Sequence, residues 1–231
     1  MAVLLADHVA ARPDEPALID AHGTTTWAQL DERVNRLVSA LRARGLVEGA
    51  TVAMMAGNQR EAIEVALACM HGGWVMVPVN WHWVAAELAH VLDDSDAAAL
   101  VVGADWLTVA TGAEALVAGA PTLLVRVAIA ADAPDGYERY EDVLAGADPA
   151  EPADQVRGGV MFYTSGTTGH PKGVRGGLAQ VGGPAEIWQF VAAALAEIMQ
   201  PAPTSPVQLV CGPAYHSAQW VFAHFALICG D

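Results

Sequence analysis

The residues best suited to chemistry lie in one stretch, residues 160–174, with the sequence VMFYTSGTTGHPKGV. An apolar run typical of a buried strand is followed by a turn rich in glycines and hydroxyl side chains. Glycines let a backbone approach an anion closely, and consecutive N–H groups in such a turn form an anion-binding nest. Lys172 adds a point charge and is the only lysine of the chain. The pattern favours polyphosphate binding, and the alternative is a surface loop of small residues.

This turn differs from a Walker loop, in which Gly-Lys-Ser/Thr follows a glycine and four spacer residues. Pro171 precedes the lysine and Gly173 follows it. These neighbours predict that residues 163–174 form a strand, a loop and a second extended segment, with no helix beginning at Lys172. The run Thr-Ser-Gly-Thr-Thr-Gly-x-Pro-Lys-Gly-Val closely resembles the signature loop of the adenylate-forming acyl-activating enzymes. That family includes acyl-CoA ligases and the adenylation domains of nonribosomal peptide synthetases.

Other segments extend the resemblance in the order that the family has them. Residues 26–30 are similar to its threonine-aromatic helix start, and residues 68–80 to its "glycine-x-x-x-x-proline-x-asparagine" core segment. Residues 211–218 resemble its "proline-x-aromatic-histidine-x-x-glycine" element, although Gln219 and Trp220 stand where the glycine is expected. The resemblance covers roughly residues 1–230 and implies an α/β fold of mainly parallel sheets with flanking helices.

The resemblance also implies roles for particular residues. His216 would be the catalytic residue that contacts the carboxylate or the adenylate, and the alternative is a histidine satisfied within the core. Tyr215, Ser217 and Trp220 would line the acyl tunnel, and Thr164 would contribute to a Mg²⁺ site. The loop would hold the β- and γ-phosphates of ATP through Thr164, Ser165, Gly166, Thr167, Thr168, Gly169 and Lys172.

In this family a carboxylate attacks the α-phosphorus of ATP, and coenzyme A usually captures the resulting acyl-adenylate. A second Mg²⁺-binding pair, a ribose-binding aspartate and a late catalytic lysine belong to family segments that follow the matched part. We therefore expect residues 1–231 to be a partial AMP-binding N-terminal domain that is inactive alone. We also expect its apolar end, residues 220–228, to lack packing partners.

Several functions remain open at this point. The leading one is activation of a carboxylic acid, most simply a fatty acid, because Arg175 followed directly by a loop resembles one group of fatty acyl-CoA ligases. An aryl-CoA ligase or a peptide-synthetase adenylation domain is the alternative within the family. A truncated, non-catalytic nucleotide-binding or interaction protein is the alternative outside it.

Composition limits the partners. The 231 residues carry a net charge of −15, which argues against nucleic acid, whose binding requires a basic face. Three cysteines without a CxxC pair indicate reduced thiols, and no basic segment opens the chain, so we expect a cytoplasmic protein. Residues 206–230 carry no formal charge, but Pro213 and several polar residues argue against a transmembrane span.

Alternating strands and helices predict an α/β domain. The predicted helices are Val3–Ala11, Trp27–Arg44, Arg60–His71, Ala85–Leu92, Trp188–Met199 and Phe222–Cys229. The predicted strands are Ala17–Ile19, Thr51–Ala56, Trp74–Val79, Ala97–Val102, Leu123–Val127 and Val207–Val210. Thr26 is expected to cap the second helix and Gly45 to end it.

Overall fold

The structure is a computed structural model in which residues 4–117, 123–164, 169–199 and 207–230 are described. The strands among them are β1 (Pro16–Asp20), β2 (Gly23–Thr26), β3 (Thr51–Met55), β4 (Val75–Pro78), β5 (Ala97–Gly103), β6 (Val125–Ile129), β7 (Glu138–Arg139), β8 (Gly159–Val160), β9 (Phe162–Thr164) and β10 (Lys172–Val174). The α-helices are α1 (Ala6–Ala11), α2 (Trp27–Ala43), α3 (Arg60–Gly72), α4 (Ala85–Asp94), α5 (Leu107–Glu114), α6 (Tyr140–Ala145), α7 (Ile187–Met199) and α8 (Ser217–Cys229).

A parallel six-stranded sheet forms the centre, in the order β7-β6-β5-β3-β4-β8. Its central strands are continuous apolar runs, as expected of parallel strands that helices cover on both faces. One face packs on α2 and α3 through side chains such as Leu37 and Val65. The other face packs on α4 and α5 through Leu88 and Ala110. The predicted α/β fold with a mainly parallel sheet is therefore confirmed.

The second helix forms where its sequence predicts. Gln29 N–H donates to the Thr26 hydroxyl over 3.3 Å, and Thr26 N–H donates to the Gln29 side chain over 2.9 Å. This reciprocal pair is a capping box, which satisfies two donors at the helix start. After the helix, Gly45 takes a φ of +93°, a conformation that favours glycine.

Some predicted elements differ from the structure. Residues 207–210 form no strand, because Val207 and Leu209 are exposed and pair with no strand among the described residues. The short elements β2, β7, α5 and α6 were not predicted. Their segments are too short, or too rich in alanine and acidic residues, to show a clear hydrophobic period.

The last helix is also longer and better packed than the sequence predicts. It begins at Ser217, not at Phe222, and it packs against α7, with Trp188 facing Phe225 at 5.8 Å between ring centroids. Trp220, Phe225, Leu227 and Ile228 are buried, whereas Phe222 is 38% exposed, so the expectation of an unpacked apolar end was wrong for most of these side chains. The prediction failed because it did not foresee α7 as the packing partner.

Candidate functional site

The two strands β9 and β10 pair antiparallel and carry the phosphate-binding candidates. In their register Thr164 lies opposite Lys172, and Tyr163 lies opposite Gly173. Lys172 belongs to a strand, so the predicted extended segment at this lysine is confirmed. Ser165, Gly166, Thr167 and Thr168 lie outside the described residues, and their predicted roles stay predictions.

Gly173 allows a close approach of the facing tyrosine. A side chain at position 173 would lie 3.1 Å from Tyr163 Cζ and 3.2 Å from Met161 Sδ. Tyr163 in turn donates its hydroxyl hydrogen to Asp94 of α4 over 2.6 Å. Burial and this carboxylate raise the pKa of Tyr163, so the phenol remains a neutral donor. The strand that leads into the loop is therefore tied to α4.

The far side of the loop is tied to the same helix. His90 Nε2 lies 2.9 Å from the carbonyl oxygen of Pro171, the residue before Lys172. The rings of His90 and His170 also lie 4.8 Å apart. Residues on both sides of the hairpin thus contact α4, and these contacts fix the position of the backbone at Lys172.

Lys172 is an exposed cation, and it forms no ion pair with a carboxylate among the residues that the structure describes. By contrast, the arginines with a carboxylate within 4.0 Å are Arg12, Arg33, Arg36, Arg42, Arg44, Arg60, Arg126 and Arg139. In a chain of net charge −15, most positive charge is therefore neutralised internally. The charge of Lys172 remains available to an anionic ligand.

The predicted catalytic histidine precedes α8. His216 has extended dihedral angles, and its side chain makes no capping hydrogen bond. Its imidazole is exposed and lies 4.5 Å from the Tyr215 ring, and Ser217 is exposed beside it. This imidazole is consequently free to contact a ligand.

Trp220 lies one turn further along α8 and is buried. Its ring stacks on His224 at 4.2 Å and meets Phe162 of β9 edge-on at 5.9 Å. The contact with Phe162 brings the strand before the loop against the helix that follows His216. Strand β9, which leads into the predicted loop, and helix α8, which follows His216, are thus neighbours in the fold. The predicted tunnel-lining role of Trp220 stays a prediction.

The described residues contain no group of three or more His, Cys, Asp or Glu side chains that could hold a metal ion. The Thr164 hydroxyl, exposed at the end of β9, is an oxygen ligand of the kind that Mg²⁺ accepts. A single hydroxyl fits a Mg²⁺ that is held mainly by nucleotide phosphates and water, as this ion commonly is. The residues therefore fit a metal that arrives with its nucleotide.

A separate groove is lined by residues of β2, α2, α3 and α6, among them Arg33, Arg36 and Arg60. Each of these arginines pairs with a carboxylate, namely that of Glu64, Glu32 or Asp20 respectively. The groove is therefore poorly suited to phosphate despite its arginines.

The sequence did not reveal the residues that support the site. His90 and Asp94 hold the loop across 81 and 69 positions of sequence, and Asn58 contacts the segment before His216 across 154 and 156 positions. The one available signal was position, since Asn58 closely follows a buried strand, where parallel folds place ligand-binding residues.

Comparison with known proteins supports the resemblance to the adenylate-forming enzymes. Residues 5–231 match the family model described as AMP-binding enzyme. A fatty acid–[acyl-carrier-protein] ligase, ScoC of Streptomyces coeruleorubidus, is 34% identical over 169 residues, which are 72% of this chain and 31% of that protein. A 3-oxocholest-4-en-26-oate–CoA ligase of Rhodococcus rhodochrous is 34% identical over 173 residues, which are 70% of this chain and 30% of that protein. The chain spans about a third of the length of these curated relatives.

A solved structure is similar over nearly the whole chain. The inhibitor-bound N-terminal domain of FACL13 from Mycobacterium tuberculosis superposes with a TM-score of 0.74 at 25% sequence identity. The similarity covers 99% of this chain and 55% of that one. It supports the same arrangement of sheet and helices.

None of the helices that the structure describes is long and apolar enough to cross a bilayer. The sheet, the loop with its single lysine and the family model that spans residues 5–231 lead to one conclusion: this chain belongs to the AMP-binding enzyme family.

Proposed function

We propose that residues 1–231 serve the ATP-dependent activation of a carboxylic acid to an acyl-adenylate, which a thiol then captures. The single observation that carries this proposal is Lys172, which lies opposite Thr164 at the base of the loop and pairs with no carboxylate among the described residues. A point charge at that position suits the β- and γ-phosphates of ATP. The chain would contribute this part to the AMP-binding N-terminal domain of a longer cytoplasmic ligase.

The chemistry requires positioning and charge neutralisation. A carboxylate oxygen attacks the α-phosphorus, the bond from that phosphorus to the bridging oxygen breaks, and pyrophosphate leaves with the electron pair. Lys172 and the loop N–H groups would hold the departing phosphates, and His216 would orient the attacking carboxylate. Such fixed donors and charges lower a barrier because they need no reorganisation during the reaction.

A metal ion and a second substrate complete the proposed reaction. Mg²⁺ bound with ATP, with Thr164 among its ligands, would supply further charge neutralisation for the phosphates. Coenzyme A would supply the thiol that displaces AMP and forms the thioester.

For the acid we propose an aliphatic, fatty acyl substrate. ScoC and the Rhodococcus ligase are named for a fatty acid and for 3-oxocholest-4-en-26-oate, respectively. Tyr215, Ser217 and Trp220 would line the tunnel that holds the acyl chain of the substrate. The name of ScoC also favours a second acceptor, the thiol of an acyl-carrier protein, in place of coenzyme A.

Other functions predict different results in one experiment. The full-length protein that contains these residues is tested for ATP–pyrophosphate exchange with fatty, aryl and amino acids, and then for thioester formation with coenzyme A or a carrier protein. The proposal expects exchange with fatty acids and a CoA thioester as product. Exchange with aryl or amino acids alone would favour an aryl-CoA ligase or a peptide-synthetase adenylation domain. Nucleotide binding without exchange would favour a non-catalytic nucleotide-binding protein.

A further inference from the structure

Asn58 lies near the topological switch point of the sheet, where the connections between successive strands begin to lead to the opposite edge. The chain leaves β3 for β4 on one side and leaves β5 for β6 on the other, so the switch lies between β3 and β5. In open parallel sheets, ligands bind outside the carboxyl ends of the strands at this position. Asn58 follows the carboxyl end of β3 by three residues.

The side chain of Asn58 holds the segment before His216 by two hydrogen bonds. Its Nδ2 donates to the carbonyl oxygen of Gly212 over 2.8 Å, and its Oδ1 accepts from the N–H of Ala214 over 2.8 Å. The amide thus pairs with a donor and an acceptor of the same short segment, as a neighbouring strand would. Because both bonds act together, they fix the height and the orientation of that backbone relative to β3.

The held segment leads directly to the catalytic candidate. Gly212 N–H also donates to the Gln219 side chain over 3.1 Å, which ties the segment to α8. His216 N–H donates to Pro213 O over 3.0 Å, so a tight turn joins the held residues to His216. The position of the His216 backbone therefore depends on the two bonds that Asn58 makes.

A second contact orients the neighbouring ring. Trp81, which follows β4, meets Tyr215 edge-on with 4.6 Å between centroids and 88° between planes. Tyr215 lies in turn against His216. The carboxyl ends of two adjacent strands thus determine where Tyr215 and His216 lie.

We propose that Asn58 is a positioning residue that acts on the acid through His216, an inference that rests on the function proposed above. Asn58 is exposed, and exposed hydrogen bonds add little to global stability because water replaces them. Their loss instead lets the segment shift, and a displacement of about 1 Å at a reacting group can lower a rate on the order of 10²-fold. The effect of Asn58 should therefore be found in turnover and not in folding.

The test is a set of double-mutant cycles in the full-length protein, measured by ATP–pyrophosphate exchange. Asn58→Ala should lower kcat for exchange by about 10- to 100-fold. In the His216→Ala background it should cause no further loss, because two residues that act as a unit are not additive. In the Lys172→Ala background the full loss should reappear, since Lys172 acts on the phosphates. Gln29→Ala is the matched control, because it removes an exposed amide hydrogen bond in the α2 cap.

Two further measurements keep the test decisive. Asn58→Asp retains the acceptor for Ala214 N–H and loses the donor to Gly212. Its rate of ATP–pyrophosphate exchange should therefore lie between those of wild type and Asn58→Ala. It also replaces the alanine variant in the cycles if that variant does not fold. Amide hydrogen exchange of residues 211–216 should be faster in Asn58→Ala than in wild type or Gln29→Ala.

The outcomes separate this inference from the proposed function. Two results would overturn the positioning role alone. One is an equal loss of kcat for pyrophosphate exchange when Asn58→Ala is made in the wild-type and in the His216→Ala background. The other is an unchanged rate of hydrogen exchange at the Ala214 amide in Asn58→Ala. A wild-type protein without acid-dependent pyrophosphate exchange would overturn the proposed function, and this inference with it.

Discussion

His90 Nε2 lies 2.9 Å from the carbonyl oxygen of Pro171, so helix α4 holds the residue next to Lys172. A carbonyl oxygen can only accept, and Nε2 therefore carries the imidazole proton. On the other strand of the hairpin, Tyr163 donates to Asp94 of the same helix. The position of the proposed phosphate site consequently depends on α4, which has no part in the loop motif.

Removing the first of these bonds should weaken nucleotide binding. In the full-length protein, His90→Ala should raise the Kd for an ATP analogue by ~10-fold, the scale of one net hydrogen bond. Calorimetric titration measures this Kd, and His22→Ala, at an exposed position, is the control. Equal affinities for wild type and His90→Ala would show that the bond does not position the loop.

The sequence predicted the central sheet because the strands of Thr51–Met55, Val75–Pro78 and Ala97–Gly103 are unbroken apolar runs. It also predicted the extended segment at Lys172, because Pro171 and Gly173 disfavour a helix start there. It could not predict the bonds of Asn58 and His90, since contacts between distant residues leave no local pattern. The segment of residues 207–210 shows the opposite error: its composition favours a strand, but a strand forms only where a partner pairs with it.

The buried ion pair between Arg33 and Glu64 should matter for stability. Glu64 is 0% exposed, accepts from Arg33 Nε over 2.7 Å and accepts from the Tyr140 hydroxyl over 2.8 Å. Burial raises the pKa of Glu64, and Arg33 opposes this shift. Glu64→Ala leaves the buried Tyr140 hydroxyl without its acceptor, while Arg33 keeps its pair with Glu141, so the free energy of unfolding should fall by about 1–3 kcal/mol.

Urea denaturation measures this loss, and an exposed ion pair provides the control. Asp154 pairs with Arg42 but is 80% exposed, so Asp154→Ala should cost about 0–1 kcal/mol. A similar small cost for both variants would mean that the Arg33–Glu64 pair does not stabilise the packing of α2 on α3.

Stability should fall as the pH is lowered through the range in which His224 resists protonation. His224 is buried, and burial lowers its pKa to about 4. Between about pH 6.5, the value for an unfolded histidine, and pH 4, the unfolded chain binds a proton that the folded chain excludes. The contribution of His224 to the free energy of unfolding therefore rises with pH in this window. It is fully present above the window, is lost below it, and amounts to on the order of 3 kcal/mol.

His224→Leu removes this titration, so its free energy of unfolding should depend less steeply on pH between 6.5 and 4. Urea denaturation at several pH values gives the slope, and His22→Leu, at an exposed position, is the control. A slope in His224→Leu equal to that of wild type would refute the assignment.

The outer face of α7 should promote association of the isolated 231-residue chain. Phe190 and Ile198 are each 77% exposed and lie eight positions apart, on one face of the helix. Exposed apolar surface of this kind drives association, although the net charge of −15 opposes it. Light scattering should give a mass that rises with concentration, and the paired variant Phe190→Ser/Ile198→Ser should remain monomeric. Val47→Ser, at an isolated exposed position, should behave as wild type, and a concentration-independent monomer for wild type would contradict the prediction.

The proposed phosphate-binding role is tested most directly by the effect of Lys172→Ala on acid-dependent ATP–pyrophosphate exchange in the full-length protein. Wild type should exchange pyrophosphate in the presence of a fatty acid. The variant should lose kcat/KM by on the order of 10²-fold, as expected for one charge-stabilising donor. Unchanged kcat/KM in Lys172→Ala would show that this lysine does not act on the phosphates.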